Sequence, residues 1–347
     1  MSQEKQISKN FKGIIDTTLR EGLQFSQANF TIDEMKRIFE YLSRMGVEYI
    51  EVSNPVKNEI RYMINGLVQS RPGNSPKILA HIRNCERDLE RAIECNVDGV
   101  NILCSVDPER ISAMNMTAQK YKNLLKKNID SARSHHLEIR VGVEDSINQP
   151  FSQCCEIYEL AVGSRVNRIG VADTLGNSMN WKIYNVIKDL RSRFKADIEV
   201  HFHNDLGHSV SNALAAFAAG ANWINTSLLG IGERTGITPL SSMLINLHRI
   251  DPELISHYNL SLLTVAENYV SKVCNIEMPI NLVTNRVNGF AHKAGVHLDA
   301  LIKFGPEKYE SFSPRLIGNN RNLVINSTVS GKTSYSDVKR FNKKYGS

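Results

Sequence analysis

Short strand-like runs alternate with amphipathic helical stretches from residue 12 to about residue 250, and this alternation limits the fold more than any other feature. Helical patterns such as IDEMKRIFEYLSRMG separate runs such as KILAHI. The eight predicted strands are residues 13–18, 47–52, 77–82, 98–103, 137–143, 167–172, 198–203 and 222–227. Parallel strands need helical crossovers, and eight such units close into a barrel more readily than into an open sheet. The sequence therefore predicts an α/β fold, a (β/α)8 TIM barrel.

The pattern changes after the eighth unit. The stretch DPELISHYNLSLLTVAENYVSKVC predicts one or two helices, and the remainder, rich in Asn, Gly and Ser, is predicted to be irregular. One exception is GFAHKAGVHLDALIKFG, whose second half has a helical pattern. We therefore expect a catalytic barrel at residues 1–255 and a C-terminal, mostly helical extension at residues 256–347.

Composition excludes several classes of protein. The chain has no run of 18 apolar residues, and its first residues, MSQEKQISKN, lack a signal pattern, which predicts a cytoplasmic protein without a membrane partner. Its six cysteines form no CxxC pair, which predicts free thiols. The net charge of +6 has no basic blocks. It therefore argues against nucleic acid and suits small anionic substrates.

Polar residues gather at the predicted C-terminal ends of the strands, where barrels carry their catalytic groups. Those that follow strands one, five, six and seven are Asp16, Arg20, Glu21, Gln24, Glu144, Asp145, Asp173, Thr174, His201 and His203. We therefore expect one polar rim at the barrel mouth.

His201 and His203 have the spacing of a metal-binding pair. Alternate strand residues point the same way, about 6–7 Å apart, so the two imidazoles can bind one ion. The alternative is a pair of hydrogen-bonded core or surface histidines. Glu21 favours the metal-binding interpretation, because only strand eight separates strands one and seven in a closed barrel. The sequence therefore predicts a divalent-cation site with two imidazoles and one carboxylate.

Other candidates keep two interpretations. Arg20 beside Glu21 forms either a surface ion pair or a fixed cation that stabilises an enolate or alkoxide. Glu144 and the residue after it form either a solvated acidic loop or a helix cap. His292 and His297 are either polar surface residues or, bracketed by glycines, part of a functional segment.

The sequence resembles the homocitrate synthase and isopropylmalate synthase family of metal-dependent condensing barrels, and its homocitrate synthase branch in particular. The matching motifs are DTTLREGLQF, HIRN, DGVNI, EIRVGVEDS, ADTLG, HFHNDLG, GIGERTGITPL and FAHKAGVHLDAL, between residue 16 and about residue 310. The resemblance implies a condensation of acetyl-CoA, as cosubstrate, with a 2-oxo acid. It favours 2-oxoglutarate as the acceptor and leaves other 2-oxo acids open.

The resemblance also implies roles for individual residues. Glu21, His201 and His203 would hold Mg, Mn, Zn or Co, and Arg20 would polarise the ketone. Substrate contacts would come from Gln24, His81, Thr174 and Tyr309. His297 would act as the base, coupled to Glu144, in the barrel of the partner subunit of a homodimer.

Several positions depart from the family pattern at the substrate end. Cys85 lies near the place of a second histidine, Leu23 stands where Glu is usual, and Gly142 replaces a frequent serine. The arginine-bearing loop after strand four also differs, in SVDPERISAMNMTAQ. The condensation is therefore better supported than the identity of the acceptor.

Two rival functions remain at this stage. A lyase of the same superfamily would cleave a C–C bond with the same metal and arginine, although such lyases typically lack the extension at residues 256–347. A catalytically inactive scaffold would have lost a metal ligand or Arg20, and the sequence retains them. We also expect no regulatory amino-acid-binding domain within the 347 residues.

Overall fold

A closed barrel of eight parallel strands forms the first part of the protein, in a computed structural model that describes residues 2–326 and 329–345. The strands follow one another around the barrel in chain order, and β8 pairs with β1 to close it. They are β1 Gly13–Asp16, β2 Tyr49–Val52, β3 Lys77–Arg83, β4 Gly99–Cys104, β5 Glu138–Val143, β6 Arg168–Asp173, β7 Asp197–Phe202 and β8 Trp223–Thr226. The predicted TIM barrel is confirmed.

Helices connect the strands and cover the barrel. They are α1 Gln3–Asn10, α2 Thr18–Glu21, α3 Ile32–Met45, α4 Asn58–Ser70, α5 Glu86–Glu94, α6 Pro108–Ala113, α7 Ala118–Ser134, α8 Phe151–Gly163, α9 Asn180–Arg193, α10 Ser209–Ala219 and α11 Leu240–Ile250. Local sequence sets their ends. Thr31 and Glu34 form a reciprocal capping box at the start of α3, and Gly46 ends that helix with φ 94°.

Small residues let α10 pack closely on the barrel wall. Ala213 and Ala216 are fully buried, and Phe217 near the end of the helix is also buried. Helix α1, which the sequence pattern did not predict, packs against this end. The Asn10 side-chain amide donates to the Phe217 carbonyl at 2.8 Å, and Phe11 meets the Phe217 ring edge-on. Because Ile7 is the one buried residue of α1, the helix has no apolar periodicity that the sequence pattern could reveal.

The chain divides into two compact units, Met1–His257 and Tyr258–Ser347. The second unit contains α12 Leu263–Val273, β9 Ala291–His292, α13 Gly295–Phe304, β10 Asn322–Leu323 and α14 Tyr335–Tyr345. The predicted helices are present as α12 and α13, but the expectation of an irregular remainder was wrong at three places. Helix α14 and the parallel β9–β10 pair lie within it. In the part of the chain that the structure describes, no helix is long and apolar enough to cross a membrane.

Candidate active site

Glu21, His201 and His203 meet at the barrel mouth with the geometry of a metal-ligand set. All three are buried, and one ligand atom from each lies within 4.8 Å of the others. His201 Nε2 lies 3.5 Å from Glu21 Oε1 and 3.4 Å from His203 Nε2. Ligand bonds of about 2.1 Å place neighbouring ligand atoms roughly 3.0–3.4 Å apart, so the three atoms fit around one small cation.

Strands β1 and β7 bring these ligands together across β8. His201 lies in β7, and His203 follows the end of that strand at Phe202. The first strand is shorter than predicted because the Asp16 carboxylate accepts the Thr18 backbone N–H at 2.9 Å and starts α2. Glu21 therefore projects from a short helix, not from a strand end.

The electrostatics keep the three groups in their metal-binding protonation states. Burial opposes ionisation of Glu21, but Arg20 and the two histidines lower the pKa of this carboxyl to about 2. Burial lowers the pKa of His201 well below its ordinary value, and it lowers the pKa of His203 in the same direction. Metals bind carboxylates and neutral imidazoles. The site is therefore ready for a cation at neutral pH.

A hydrogen bond orients one imidazole for this role. His201 Nδ1 lies 3.2 Å from Asn225 Oδ1, and Asn225 Nδ2 donates to Glu199 at 2.9 Å. Because the amide oxygen only accepts, Nδ1 carries the proton, and the Nε2 lone pair faces Glu21. The nitrogen-rich donor set and this support fit a borderline divalent cation.

Arg20 is buried beside the ligand set, so the surface ion pair considered above is wrong. Its Nη1 lies 2.5 Å from Glu21 Oε1, and its Nε lies 2.5 Å from Glu51 Oε1. Burial lowers its pKa, but the two carboxylates outweigh this and raise the pKa above its ordinary value. The third nitrogen, Nη2, makes a long 3.5 Å contact with His201. A fixed, fully charged guanidinium is thus available to a substrate oxygen.

Sequence reasoning missed a group of buried charges inside the barrel. Glu51 binds Arg20 and accepts a hydrogen bond from Asn101 at 2.7 Å. Arg140 Nε lies 2.9 Å from Glu199 Oε1, and Arg168 Nε lies 3.2 Å from the other oxygen of that carboxylate. The available signal was a single charged residue inside otherwise apolar strands such as YIEV. Of these side chains, Glu51 fixes Arg20, and Arg140 lines the cavity of the site.

The GIGERTG loop closes over Glu21. A Cβ at Gly232 would lie 2.7 Å from Glu21 Oε2, so only glycine allows this approach of the loop. Arg234 then forms an ion pair with Asp205, and its Nη2 donates to the Thr174 carbonyl at 2.7 Å. This arginine, which sequence reasoning did not select, ties the loops after β6, β7 and β8 together.

Glu144 and Asp145 perform neither of the two roles considered for them. The Asp145 carboxylate accepts the Thr174 backbone N–H at 3.0 Å, and the Thr174 hydroxyl accepts the Asp145 N–H at 2.9 Å. Burial raises the pKa of Asp145. Glu144 forms an ion pair with Arg110 of α6. Pro150, not an acidic residue, precedes the first residue of α8.

These side chains line a cavity of about 200 Å³ at the barrel mouth. The predicted site residues Arg20, Glu21, Gln24, His81, Glu144, Thr174, His201 and His203 all contribute to it. Arg140 and Gly142 form part of the opposite wall. The structure therefore brings together every residue of the first unit to which the family resemblance gave a role, whereas Asp16, Asp145 and Asp173 do not line this cavity.

The remaining predicted residues lie in the second unit. His297 of α13 stacks on the Tyr309 ring, with the centroids 3.8 Å apart. His292 Nε2 lies 3.2 Å from Glu310 Oε1, and Arg321 binds both oxygens of that buried carboxylate. The predicted pair of His297 and Tyr309 is thus in contact, next to a network that fixes β9.

The metal-free protein is expected to lose stability below about pH 6.5, because the unfolded chain protonates His201 and His203 while burial keeps them neutral in the fold. The upper limit is about 1.4 kcal/mol per histidine between pH 7.5 and pH 5.5, which applies to a group that stays neutral in the fold throughout. Urea unfolding of chelator-treated protein at both pH values measures the loss. His203→Gln should remove the part of the stability loss that comes from His203. His135→Gln, at an exposed site, should leave the stability loss unchanged. Equal losses in wild type and His203→Gln would contradict the assignment.

Comparison with known families agrees with this geometry. The profile described as HMGL-like matches residues 12–270. The chain belongs to the HMGL-like family. A second profile, described as homocitrate synthase post-HMGL domain-like, matches residues 285–343. The chain is thus a homocitrate synthase-like enzyme of the HMGL-like family, and the resemblance stated from its motifs is confirmed.

Individual relatives include homocitrate synthases by sequence and an HMG-CoA lyase by structure. The mitochondrial homocitrate synthase of Schizosaccharomyces pombe is 35% identical over 334 residues, covering 92% of this chain and 76% of the relative. The cytosolic isozyme of Saccharomyces cerevisiae is 34% identical over 336 residues, covering 93% and 75%. The HMG-CoA lyase structure from Bacillus subtilis has a TM-score of 0.70 at 20% identity, covering 78% of this chain and 96% of that one. The structural likeness supports the barrel fold.

Proposed function

We propose that this HMGL-like enzyme condenses acetyl-CoA with a 2-oxo acid and hydrolyses the resulting thioester. The observation that carries the proposal is the buried set of Glu21, His201 and His203 beside the Arg20 guanidinium. The match of residues 285–343 to the post-HMGL domain of homocitrate synthases favours condensation over C–C cleavage. The relatives are named homocitrate synthases, and the resemblance of the motifs to that branch makes 2-oxoglutarate the reference acceptor.

Glu21, His201 and His203 would hold the divalent cation. When bound there, such a cation supplies Lewis acidity to the carboxylate and ketone oxygens of the 2-oxo acid. The residues around it orient the acid. Thr174 and Gln24 line the same cavity and provide polar groups for the acid.

Arg20 stabilises the charge that develops on the ketone oxygen. The acetyl methyl group loses a proton to a base, its carbon attacks the ketone carbon, and the ketone oxygen becomes an alkoxide. A guanidinium already fixed by Glu21 and Glu51 needs no reorganisation when this charge appears. Arg20 therefore favours the transition state over the bound substrate.

The family resemblance assigns the base to His297, with Tyr309 and Glu144 as partners in catalysis. The contact of His297 with Tyr309 supports a joint role for these two side chains. After the new C–C bond has formed, water cleaves the thioester, and CoA leaves as the free thiol. We further propose that the enzyme works as a homodimer in which His297 serves the site of the partner subunit.

Free thiol release from acetyl-CoA tests the proposal directly. Purified protein loaded with Mn²⁺, Zn²⁺ or Mg²⁺ is expected to release thiol with at least one acid from a panel of 2-oxo acids, and EDTA should abolish it. The panel contains 2-oxoglutarate, pyruvate, 2-oxoisovalerate and oxaloacetate. Product analysis by mass spectrometry identifies the acid formed. No release from metal-loaded protein, together with cleavage of a hydroxyacyl-CoA, would replace the proposal with the lyase reaction.

A further inference from the structure

A buried ion cluster lies directly behind the His297–Tyr309 pair of the second unit. The Glu310 carboxylate accepts two hydrogen bonds from Arg321, one from Nε at 2.5 Å and one from Nη2 at 2.6 Å. His292 Nε2 lies 3.2 Å from the same carboxylate. We call His292, Glu310 and Arg321 the anchor triad. Their side chains are at most 9% exposed, so the cluster is not a surface ion pair.

The anchor triad keeps its charges at neutral pH. Burial raises the pKa of the Glu310 carboxyl, but Arg321 and His292 outweigh burial and lower that pKa below its ordinary value. A bidentate pair of guanidinium and carboxylate is stronger and more strictly oriented than a single hydrogen bond. Arg321 also lies over the ring of Phe341, the buried residue of α14, at 5.5 Å from the ring centroid. Helix α14 therefore covers the guanidinium of the triad.

The anchor triad adjoins both members of the His297–Tyr309 pair. Glu310 follows Tyr309 in the chain, and its side chain is buried whereas Tyr309 is exposed. The buried carboxylate therefore fixes the backbone from which the Tyr309 ring projects, and this ring stacks on His297 with the centroids 3.8 Å apart. The His292 ring lies 6.3 Å from the His297 ring, centroid to centroid. Both rings of the pair thus rest on the triad.

The segment at residues 309–312 has a second, apolar attachment beside β9. Phe290, which precedes β9, meets Phe312 edge-on with the ring centroids 5.4 Å apart. Arg321 precedes β10, which pairs with β9 in parallel, and it reaches Glu310 from this neighbouring strand. The segment is thus held at two points, one ionic and one apolar.

We propose that the anchor triad positions the His297–Tyr309 pair, with Glu310 and Arg321 as positioning residues for proton removal. The inference rests on the proposed condensation, in which the His297 imidazole takes a proton from the acetyl methyl group and the methyl carbon keeps the electron pair. A base must lie within hydrogen-bond reach of the proton, and a displacement of about 1 Å costs roughly a hundredfold in rate. His297 is half-buried and Tyr309 is exposed, so little packing holds their own rings. The buried triad supplies the rigid support that such a pair needs.

A conservative change of the guanidinium tests the proposal. Arg321→Lys removes the bidentate contact but keeps a cation beside the buried Glu310. We expect kcat for thiol release to fall about tenfold to a hundredfold. KM for the 2-oxo acid and the metal content should stay at wild-type values, because the ligand set and the cavity around it belong to the first unit. Arg315→Lys, the same substitution at an exposed position of the second unit, is the matched control and should retain kcat.

Combination with His297→Ala separates positioning from a purely structural role. Because the triad acts through His297, Arg321→Lys should lower kcat in the wild-type background and add almost nothing in the His297→Ala background. Hydrogen-exchange mass spectrometry should show faster exchange at residues 305–312 in Arg321→Lys than in Arg315→Lys.

Three results would each overturn the inference and leave the proposed function intact. They are an unchanged kcat in Arg321→Lys, unchanged exchange at residues 305–312, and equal proportional losses of kcat in the two backgrounds. Failure of the metal-loaded wild-type enzyme to release thiol with any 2-oxo acid would refute the proposed function itself, and the inference with it.

Discussion

Replacing His203 with alanine is expected to remove the bound cation and to lower kcat/KM by at least about a thousandfold. A Lewis acid contributes several kcal/mol to the stabilisation of transition-state charge, and about 4 kcal/mol corresponds to a thousandfold change in rate. The variant loses one of the three ligands. Among the described residues, no other buried histidine lies beside Glu21 and His201 to replace it. Metal analysis of the purified variant, together with thiol release, measures both effects.

His208→Ala is the matched control for this variant. His208 lies five residues further along the chain, and it is absent from the cavity lining. Its replacement should preserve metal content, and far-UV circular dichroism should report folded protein for both variants. One equivalent of metal in His203→Ala, with activity near that of the wild type, would contradict the assignment of the ligand.

The barrel and the ligand set were predictable because both depend on local periodicity. Eight strand-like runs separated by helical patterns determine the closed parallel order, and alternation along β7 places His201 and His203 on the same face. In the closed order, only β8 separates the end of β1 from the end of β7. Glu21 could therefore be added to the site without knowledge of side-chain positions.

The buried charge network was not predictable in the same way. Alternation indicates that Glu51, Arg140 and Glu199 point inward, but the register between strands decides which of them meet. The ion pair of Glu144 with Arg110 joins the loop after β5 to helix α6, and no periodic signal gives their relative position. Helix α14 was missed because its polar sequence buries only Phe341. Long-range packing, not local propensity, fixes these features.

Replacing Arg20 is expected to have the second large effect, and its signature differs from that of a lost ligand. Arg20→Lys retains a positive charge but cannot bind Glu51 through Nε and Glu21 through Nη1 at once. We expect kcat to fall by about a hundredfold to a thousandfold, because a preorganised donor to the developing alkoxide is lost. Metal content should stay at the wild-type level, because the three ligands are unchanged.

A second variant separates catalysis from folding. Arg20→Ala alone would leave the buried Glu51 carboxylate without its cation, which costs about 3–5 kcal/mol of stability and can unfold the protein. Arg20→Met/Glu51→Gln removes both charges, and it is expected to fold, to bind metal and to lose kcat to the same extent as the lysine variant. Urea unfolding and metal analysis check the first two properties.

The division of the effect between kcat and KM then tests the role of Arg20. A guanidinium that acts on charge present only in the transition state lowers kcat and kcat/KM together and leaves KM for the 2-oxo acid almost constant. A guanidinium that only holds the substrate carboxylate raises KM and leaves kcat near the wild-type value. Because Glu21 and Glu51 fix two of its nitrogens before substrate arrives, Arg20 is already in position when charge develops. The structure therefore predicts the first pattern, and a pure KM effect in both variants would assign Arg20 to substrate binding instead.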